Sequence, residues 1–433
     1  MSIIIAITGL LNIMFLYLFA RKTSPVLILM QIYWFFWMFL SSFSLTGLQI
    51  PTGKTYFLYI LMLTSVTLGS GLFSLHTFIS KRKIKPKFIS ILKIANKRKE
   101  KYYFIFLCLF ISPIVTFFFL KSLYIQFLTN ESMPSDYRSM AFGLFGESIL
   151  FGKNIYLYYY ASIIQPLLYA SLFLGVAFLL RYKKKRILLF AFFLVAMDTL
   201  MLLGRFGFYY ILIILVLILV IVIFRNPKAI FGSVAVKATL VSILLIVLFV
   251  FTLGYMRSAK RTFNFSEFVN VYIIDYHTES FSMFDHELKE ESSTLHQRTY
   301  GRTSLGGIER MVTFALNRVF KTSIPAESNL LGENLHKSRL LGYTFDGKEK
   351  YYNAFGSVLF NLYKDGGIVF IIFMGILFGY LVSKYSASFI SLNAYSLSML
   401  AALFFIGIFG IFKPILSESL QMTILFLIVF WRL

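Results

Sequence analysis

The chain is a succession of apolar runs, each about 17–25 residues long, divided by basic connections. The runs lie near residues 2–20, 25–47, 56–80, 102–124, 156–180, 187–204, 206–224, 236–256, 367–384, 389–412 and 417–431. In hydrocarbon, a run of that length satisfies its backbone polar groups only as a helix. The expected fold is therefore an all-α polytopic membrane protein with about eleven transmembrane helices. Composition excludes the soluble alternative. With 58% hydrophobic and 14% charged residues among 433, and a mean hydropathy of +0.77, a water-exposed surface could not be covered.

The net charge of +23 resembles a nucleic-acid signal, but its distribution excludes one. Many of the basic residues fall in short connections between apolar runs: Arg21-Lys22, the segment Lys81–Lys101, Arg181–Arg186, and Arg225 with Lys228. If the spans alternate, all of these share one side, which the positive-inside rule makes cytoplasmic. The N-terminus is then outside and the C-terminus inside. The outer side carries a turn at Gln49–Thr55, a loop at 124–154 and one large loop at 257–352, between helices eight and nine. Three sections follow: 1–256 with eight helices, 257–352 as an external subdomain, and 353–433 with an interfacial helix and the last three spans. The first run has no basic residues ahead of it and reads as a span, not a cleaved leader. The single cysteine, Cys108, allows no intramolecular disulfide.

Two stretches of the outer region are patterned. Gly306–Phe320 has the period of an amphipathic helix, with Ile308, Met311, Val312, Ala315, Leu316 and Val319 on its apolar side. Residues 353–363 place Phe355, Val358, Leu359 and Leu362 on one face, which predicts a short helix on the outer membrane surface. Asp365 and the pair Gly366-Gly367 then permit a sharp turn before a span begins at Ile368.

Arginine is abundant on the side assigned as outer. Arg205 occupies the tight turn Leu203-Gly204-Arg205-Phe206-Gly207, Arg138 the second outer loop, and Arg257 the end of the eighth run. Arg298, Arg302, Arg310, Arg318 and Arg339 follow in the large loop. A guanidinium presents a planar fork to phosphate oxygens and stays charged when partly buried. Taken singly, each also reads as a snorkelling or helix-end residue. Asp198 is a carboxylate inside a span, seven residues before Arg205, and reads equally as functional or as a structural partner. The histidines show no ligand spacing, and Gln49–Thr55 contains no carboxylate for a divalent cation. No metal or other cofactor is expected.

Three motifs carry a resemblance. Leu202-Leu-Gly-Arg205-Phe-Gly, Tyr300-Gly-Arg302-Thr-Ser-Leu-Gly-Gly-Ile-Glu309, and Asn353-Ala-Phe-Gly … Asn361-Leu-Tyr-Lys-Asp365-Gly-Gly are similar to segments of the Wzy-type oligosaccharide repeat-unit polymerases, the O-antigen and capsule polymerases. The layout, many spans with one large external loop late in the chain, resembles membrane glycosyltransferases of the GT-C type. The family's Asn-x-Phe-Thr is Asn-Ala-Phe-Gly356 here, and its Asp-Phe-Gly is Asp365-Gly-Gly. The related O-antigen ligases usually place a histidine before that asparagine, where this chain has Tyr352. A polysaccharide flippase would predict duplicated halves, which the sequence does not show.

The resemblance implies polymerisation of undecaprenyl-diphosphate-linked oligosaccharides at the outer face of a bacterial inner membrane, in O-antigen, lipopolysaccharide, capsule or exopolysaccharide synthesis. It further implies a chain-length regulator and a flippase as partners. On this reading Arg205, Arg138, Arg257, Asp365 and Tyr352 are the catalytic candidates. Arg302, Arg310, Glu309, Asn353, His336 and Asp198 are the substrate-binding ones. Glu309, Glu333, His336, Tyr352 and Asp365 are the candidates for moving the acceptor proton.

Overall fold

The computed structural model describes residues 1–432 apart from 21–24, 81–88, 129–133, 142, 144–146, 205, 227–233, 258–265, 267–268, 345, 354–355 and 388–392. Each of the eleven expected runs contains a helix. Among the described residues, six helices are long and apolar enough to cross a membrane: Ser2–Ala20, Gly53–Ile79, Arg98–Phe127, Ile155–Tyr182, Phe206–Arg225 and Val358–Ser386. Pro25–Ser41, Thr239–Leu248, Ala394–Phe409 and Leu420–Arg432 are shorter apolar helices. The fold is thus that of a helical membrane protein.

The chain divides into two compact units that do not follow the sequential three-part division. One comprises Met1–Arg82, Asn264–Ala387 and Leu403–Gln421; the other comprises Lys83–Phe263, Ser388–Ala402 and Met422–Leu433.

The first unit is built on close contact between Gly53–Ile79 and Val358–Ser386. A Cβ at Gly69 would lie 2.0 Å from the Ile376 carbonyl oxygen, and one at Gly379 1.9 Å from that of Val66. Small residues let the two backbones touch, the usual device where lipid supplies no hydrophobic drive between helices. Two buried side-chain donors at this level reach backbone carbonyls within the unit. Gln31 donates to the Leu63 carbonyl at 2.9 Å, and the Trp34 indole to that of Gly407 at 2.6 Å.

The large loop folds onto one end of this unit. Its centre is the helix Tyr276–Lys289, which buries Phe281 and Phe284. Phe281 packs against Tyr59 with ring centroids 4.7 Å apart, and Phe284 against Phe360 at 5.0 Å. Strands β1 (Arg339–Tyr343) and β2 (Glu349–Tyr352) form an antiparallel hairpin. The segment after Pro25–Ser41 lies along β1, with Gln49 N–H donating to the Leu341 carbonyl at 2.8 Å and Tyr343 N–H to that of Gly47 at 3.0 Å. This hairpin departs from the all-α expectation. Its local signal is Asp346-Gly347, with Gly347 at φ +77°.

The amphipathic helix Gly306–Phe320 has the expected bounds. The expected interfacial helix needs correction. It begins at Val358, capped by Ser357, and Leu359, Phe360, Asn361, Leu362, Lys364 and Asp365 are all buried by protein. Its polar residues bind the loop, so it offers no bare apolar face to a bilayer.

The second unit contains the expected tight turn after Arg186–Met201. Leu203 adopts φ +46°, and Gly204 N–H returns to the Thr199 carbonyl at 2.7 Å. The Met201 carbonyl accepts from Ser122 Oγ at 2.8 Å and from the Tyr137 hydroxyl at 2.9 Å. A cluster of Tyr137, Leu150, Phe151, Tyr160 and Met201 packs around this end.

One cap is supplied from a distance. The helix Gly53–Ile79 has no side-chain cap of its own at Thr52. Asp285 instead accepts from Thr52 N–H at 2.8 Å, from Thr52 Oγ1, and from Thr55 Oγ1 at 2.7 Å. Lys289 Nζ lies 2.6 Å from its other oxygen. A carboxylate at a helix N-terminus satisfies orphan donors and complements the dipole. Asp285→Ala is expected to cost about 1–2 kcal/mol, read as a lowered midpoint of thermal unfolding in detergent; an unchanged midpoint would show that the cap contributes nothing.

Candidate functional site

Lys364-Asp365-Gly366-Gly367 breaks the helix Val358–Ser386. Gly366 (φ −165°, ψ 20°) and Gly367 (φ 61°, ψ −144°) are non-helical. The Gly367 conformation is one that a side chain would strain. The break leaves the last carbonyls of Val358–Asp365 without intrahelical partners. The segment 298–304 supplies them. Arg298 donates to the Tyr363 carbonyl, Thr299 N–H to Lys364 at 3.2 Å, and Tyr300 N–H to Asp365 at 3.0 Å.

The Asp365 side chain completes the attachment. One oxygen accepts from Thr299 Oγ1 at 2.5 Å, Thr303 N–H at 3.0 Å and Thr303 Oγ1 at 2.8 Å; the other accepts from Ser304 N–H at 2.7 Å. Asn361 Nδ2 donates to the Thr303 carbonyl at 3.1 Å and to Ser417 Oγ at 2.6 Å. Asp365 is a buried acceptor whose two oxygens take four hydrogen bonds that fasten the loop to the break.

Arg302 leaves the fastened loop and meets Glu309, with Nη2 2.9 Å from Oε1 and Nε donating to it at 3.1 Å. It also donates to the Pro325 carbonyl at 2.9 Å. Glu309 in turn accepts from Glu327 N–H at 2.8 Å and Ser328 Oγ at 2.7 Å, capping the helix Glu327–His336. The buried Lys364 donates to the Thr294 carbonyl at 2.8 Å and lies 3.7 Å from Glu327. Arg310 donates to the Ser417 carbonyl at 3.0 Å. Arg298, exposed and 4.6 Å from the centroid of the Tyr363 ring, presents its guanidinium at the mouth of the break. Asp365, Arg302, Glu309 and Arg310 therefore converge on one assembly. Arg298 belongs to it as well, although no motif singled that residue out.

Tyr352, Asn353 and His336 lie around the hairpin. The Tyr352 hydroxyl donates to Asp275, which also accepts from Thr46 Oγ1 and from Lys350 Nζ at 2.7 Å. Burial and the Asp275 charge push the Tyr352 phenol far above its ordinary range, so it cannot serve as a base near neutrality. Asn353 Nδ2 donates to the His336 carbonyl at 3.3 Å. One turn past Asp275, Glu279 is fully buried, and neither of its oxygens has a hydrogen-bond partner among the described residues. Burial, followed by the Asp275 charge, pushes its carboxyl well above the usual carboxylate range. His277, stacked on Trp37 with centroids 3.9 Å apart, is pushed down to about 4 by burial and stays neutral. The i, i+4 spacing of Asp275 with Glu279 and of Asp285 with Lys289 was the available sequence signal for this acidic helix.

The remaining candidates belong to the second unit or fall outside the described residues. Asp198 is buried and accepts from the Tyr160 hydroxyl at 2.5 Å. Tyr160 and Gln165, not a basic residue, are thus the partners seen for it among the described residues. Arg138 is half-buried on the helix Pro134–Ala141. Arg257 ends the helix Val234–Arg257, but its side chain lies outside the described residues, as does Arg205 altogether. Among the described residues no group of three His, Cys, Asp or Glu side chains is placed to hold a metal ion. Compared with family models, curated proteins and solved structures, the chain matches none.

Two outcomes are expected. Asp365→Ala strands two buried backbone N–H groups and the Thr299 hydroxyl, at about 3 kcal/mol or more. It should lower the unfolding midpoint in detergent and open residues 299–305 to protease; wild-type stability would remove the clamp from the account. For Glu279 the sign is set by its raised folded pKa. The folded state holds a proton that the unfolded state releases once pH exceeds the ordinary carboxylate range, so stability falls as pH rises through that window. Glu279→Gln keeps a neutral side chain, and its melting advantage over wild type should grow between about pH 5 and about pH 8. An advantage that does not vary with pH would contradict a protonated Glu279.

Proposed function

We propose that the chain is a membrane glycosyltransferase that polymerises undecaprenyl-diphosphate-linked oligosaccharide repeat units at the outer face of a bacterial inner membrane. The observation that carries this reading is the break at Gly366-Gly367, with the arginine-bearing loop fastened across it at the head of a candidate span. A lipid-linked diphosphate has its prenyl chain in the bilayer and its phosphates at the interface. An arginine fixed at the start of a span meets such a group at the required depth. Positive charge held there stabilises the diphosphate as it leaves. The acceptor hydroxyl on the incoming repeat unit attacks the anomeric carbon of the growing glycan, the bond to the diphosphate breaks, and the acceptor proton passes to a base or to water.

The clamp changes the proposed roles. Asp365 and Tyr352 position the loop and hairpin, Arg302 and Glu309 order the assembly, and Arg298 becomes the diphosphate-binding candidate of this unit, while Arg205, Arg138 and Arg257 keep the catalytic role that the resemblance implies. With no carboxylate in Gln49–Thr55, the proposed reaction needs no divalent cation.

The test is purified full-length protein in lipid nanodiscs, supplied with undecaprenyl-diphosphate-linked repeat units and chelator. The expected product is a ladder of lengthening glycans. Arg298→Lys, which keeps the charge but loses the fork, should reduce the rate by about tenfold or more. No ladder at all, or a single transfer to a different acceptor, would reject polymerisation. A ladder abolished by chelator and restored by a divalent cation would reject metal independence.

A further inference from the structure

The helix Gly306–Phe320 is placed inside out for a water-exposed element. Its polar arc faces protein: Glu309 and Thr313 are buried, and Arg310 reaches the Ser417 carbonyl. Its apolar arc faces outward. Val312 is 52% exposed, Leu316 39%, Val319 71% and Phe320 68%. At 100° per residue, Ile308, Val312, Ala315, Leu316 and Val319 form one continuous stripe. The turn that follows is closed by Asn317, which donates to the Ile324 carbonyl at 2.8 Å and accepts from Ile324 N–H at 2.9 Å. That turn sets the exposed Ile324 beside the end of the stripe.

We propose that this face lies in the outer leaflet of the bilayer, as a helix parallel to the membrane plane. Three features select lipid over a protein partner. The helix starts at the end of an apolar helix, where Gly307 N–H meets Gln421 Oε1 at 3.3 Å and Gln421 Nε2 donates to the Ser304 carbonyl at 2.6 Å; Gln421 is the second residue of Leu420–Arg432. Residues 299–304, just before the loop helix, are fastened to the break at Gly366-Gly367 within the candidate span Val358–Ser386, so the first turn of the loop helix sits beside that break. The exposed cations Arg318 and Lys321 flank the stripe at its far end, where lipid phosphates would meet them. The stripe itself carries no polar residue that could specify a protein partner. Burial of such a face to about 5–10 Å is the usual depth of an interfacial helix. The inference rests on the membrane reading of the chain and not on the glycosyl-transfer reading.

The test uses the full chain with Cys108→Ser and one new cysteine, at Val312→Cys, Val319→Cys or the water-exposed control Glu333→Cys, each carrying a bimane label. The proteins are reconstituted in vesicles of equal parts phosphatidylcholine and phosphatidylglycerol, with or without bromine on the acyl chains. Labels at 312 and 319 should shift to shorter wavelength and lose most of their emission to brominated lipid. The label at 333 should be quenched by aqueous iodide instead. Iodide quenching at 312 and 319 without bromine quenching would overturn the proposal. So would disulfide-linked pairing of two copies through Val312→Cys with no response to bromine.

Discussion

A helix interrupted inside packed protein exposes carbonyls that neither its own next turn nor bulk water can serve. Each one left unpaired in such a setting costs on the order of 1–3 kcal/mol. The break at Gly366-Gly367 creates this demand, and residues 298–304 meet it with backbone N–H groups and one guanidinium. The loop's position therefore follows from the break. So does the order of what comes after: Arg302 is set by the fastened loop, Glu309 by Arg302, and the first turn of Glu327–His336 by Glu309.

Acid is scarce in this chain, with 19 Asp and Glu against 42 Lys and Arg, and several carboxylates between residues 275 and 365 are engaged in structure. Asp275 binds Lys350 and Tyr352, Asp285 caps a span, Glu287 holds Arg339 at 2.8 Å, and Glu309 and Asp365 act as described. Each of these carboxylates serves donors from another segment. Arg298 stays exposed at the break, stacked on the Tyr363 ring, and its free face is why the proposed function places an arginine at the leaving diphosphate.

Much of the fold was legible because its signals are local. Apolar length marked the helices, a 3.6-residue period marked Gly306–Phe320 to the residue, and a glycine pair marked the break. The hairpin was missed although Asp346-Gly347 announces its turn, because its strands are short and pair in part with residues 47–49. The site was less legible. Asp365, beside two glycines, reads as an available catalyst; its donors lie about sixty residues earlier, and no spacing rule links them. The cap from Asp285 to Thr52 spans 233 positions and is invisible for the same reason. The interfacial helix was assigned to residues 353–363 from four apolar residues, when Asn361 and Lys364 on its other side already required buried partners.

The capping chain also fixes which way Gly306–Phe320 faces. Rotating the helix to bury Val312, Leu316 and Val319 would pull Glu309 from Ser328 and Arg302, and Arg310 from the Ser417 carbonyl. Those contacts involve charged groups and buried backbone, and losing them would cost more than the apolar stripe gains by turning inward. The rotation is locked by polar bonds, not chosen by hydrophobic burial. An apolar face held outward in this way calls for an apolar partner, which the bilayer proposed above would supply.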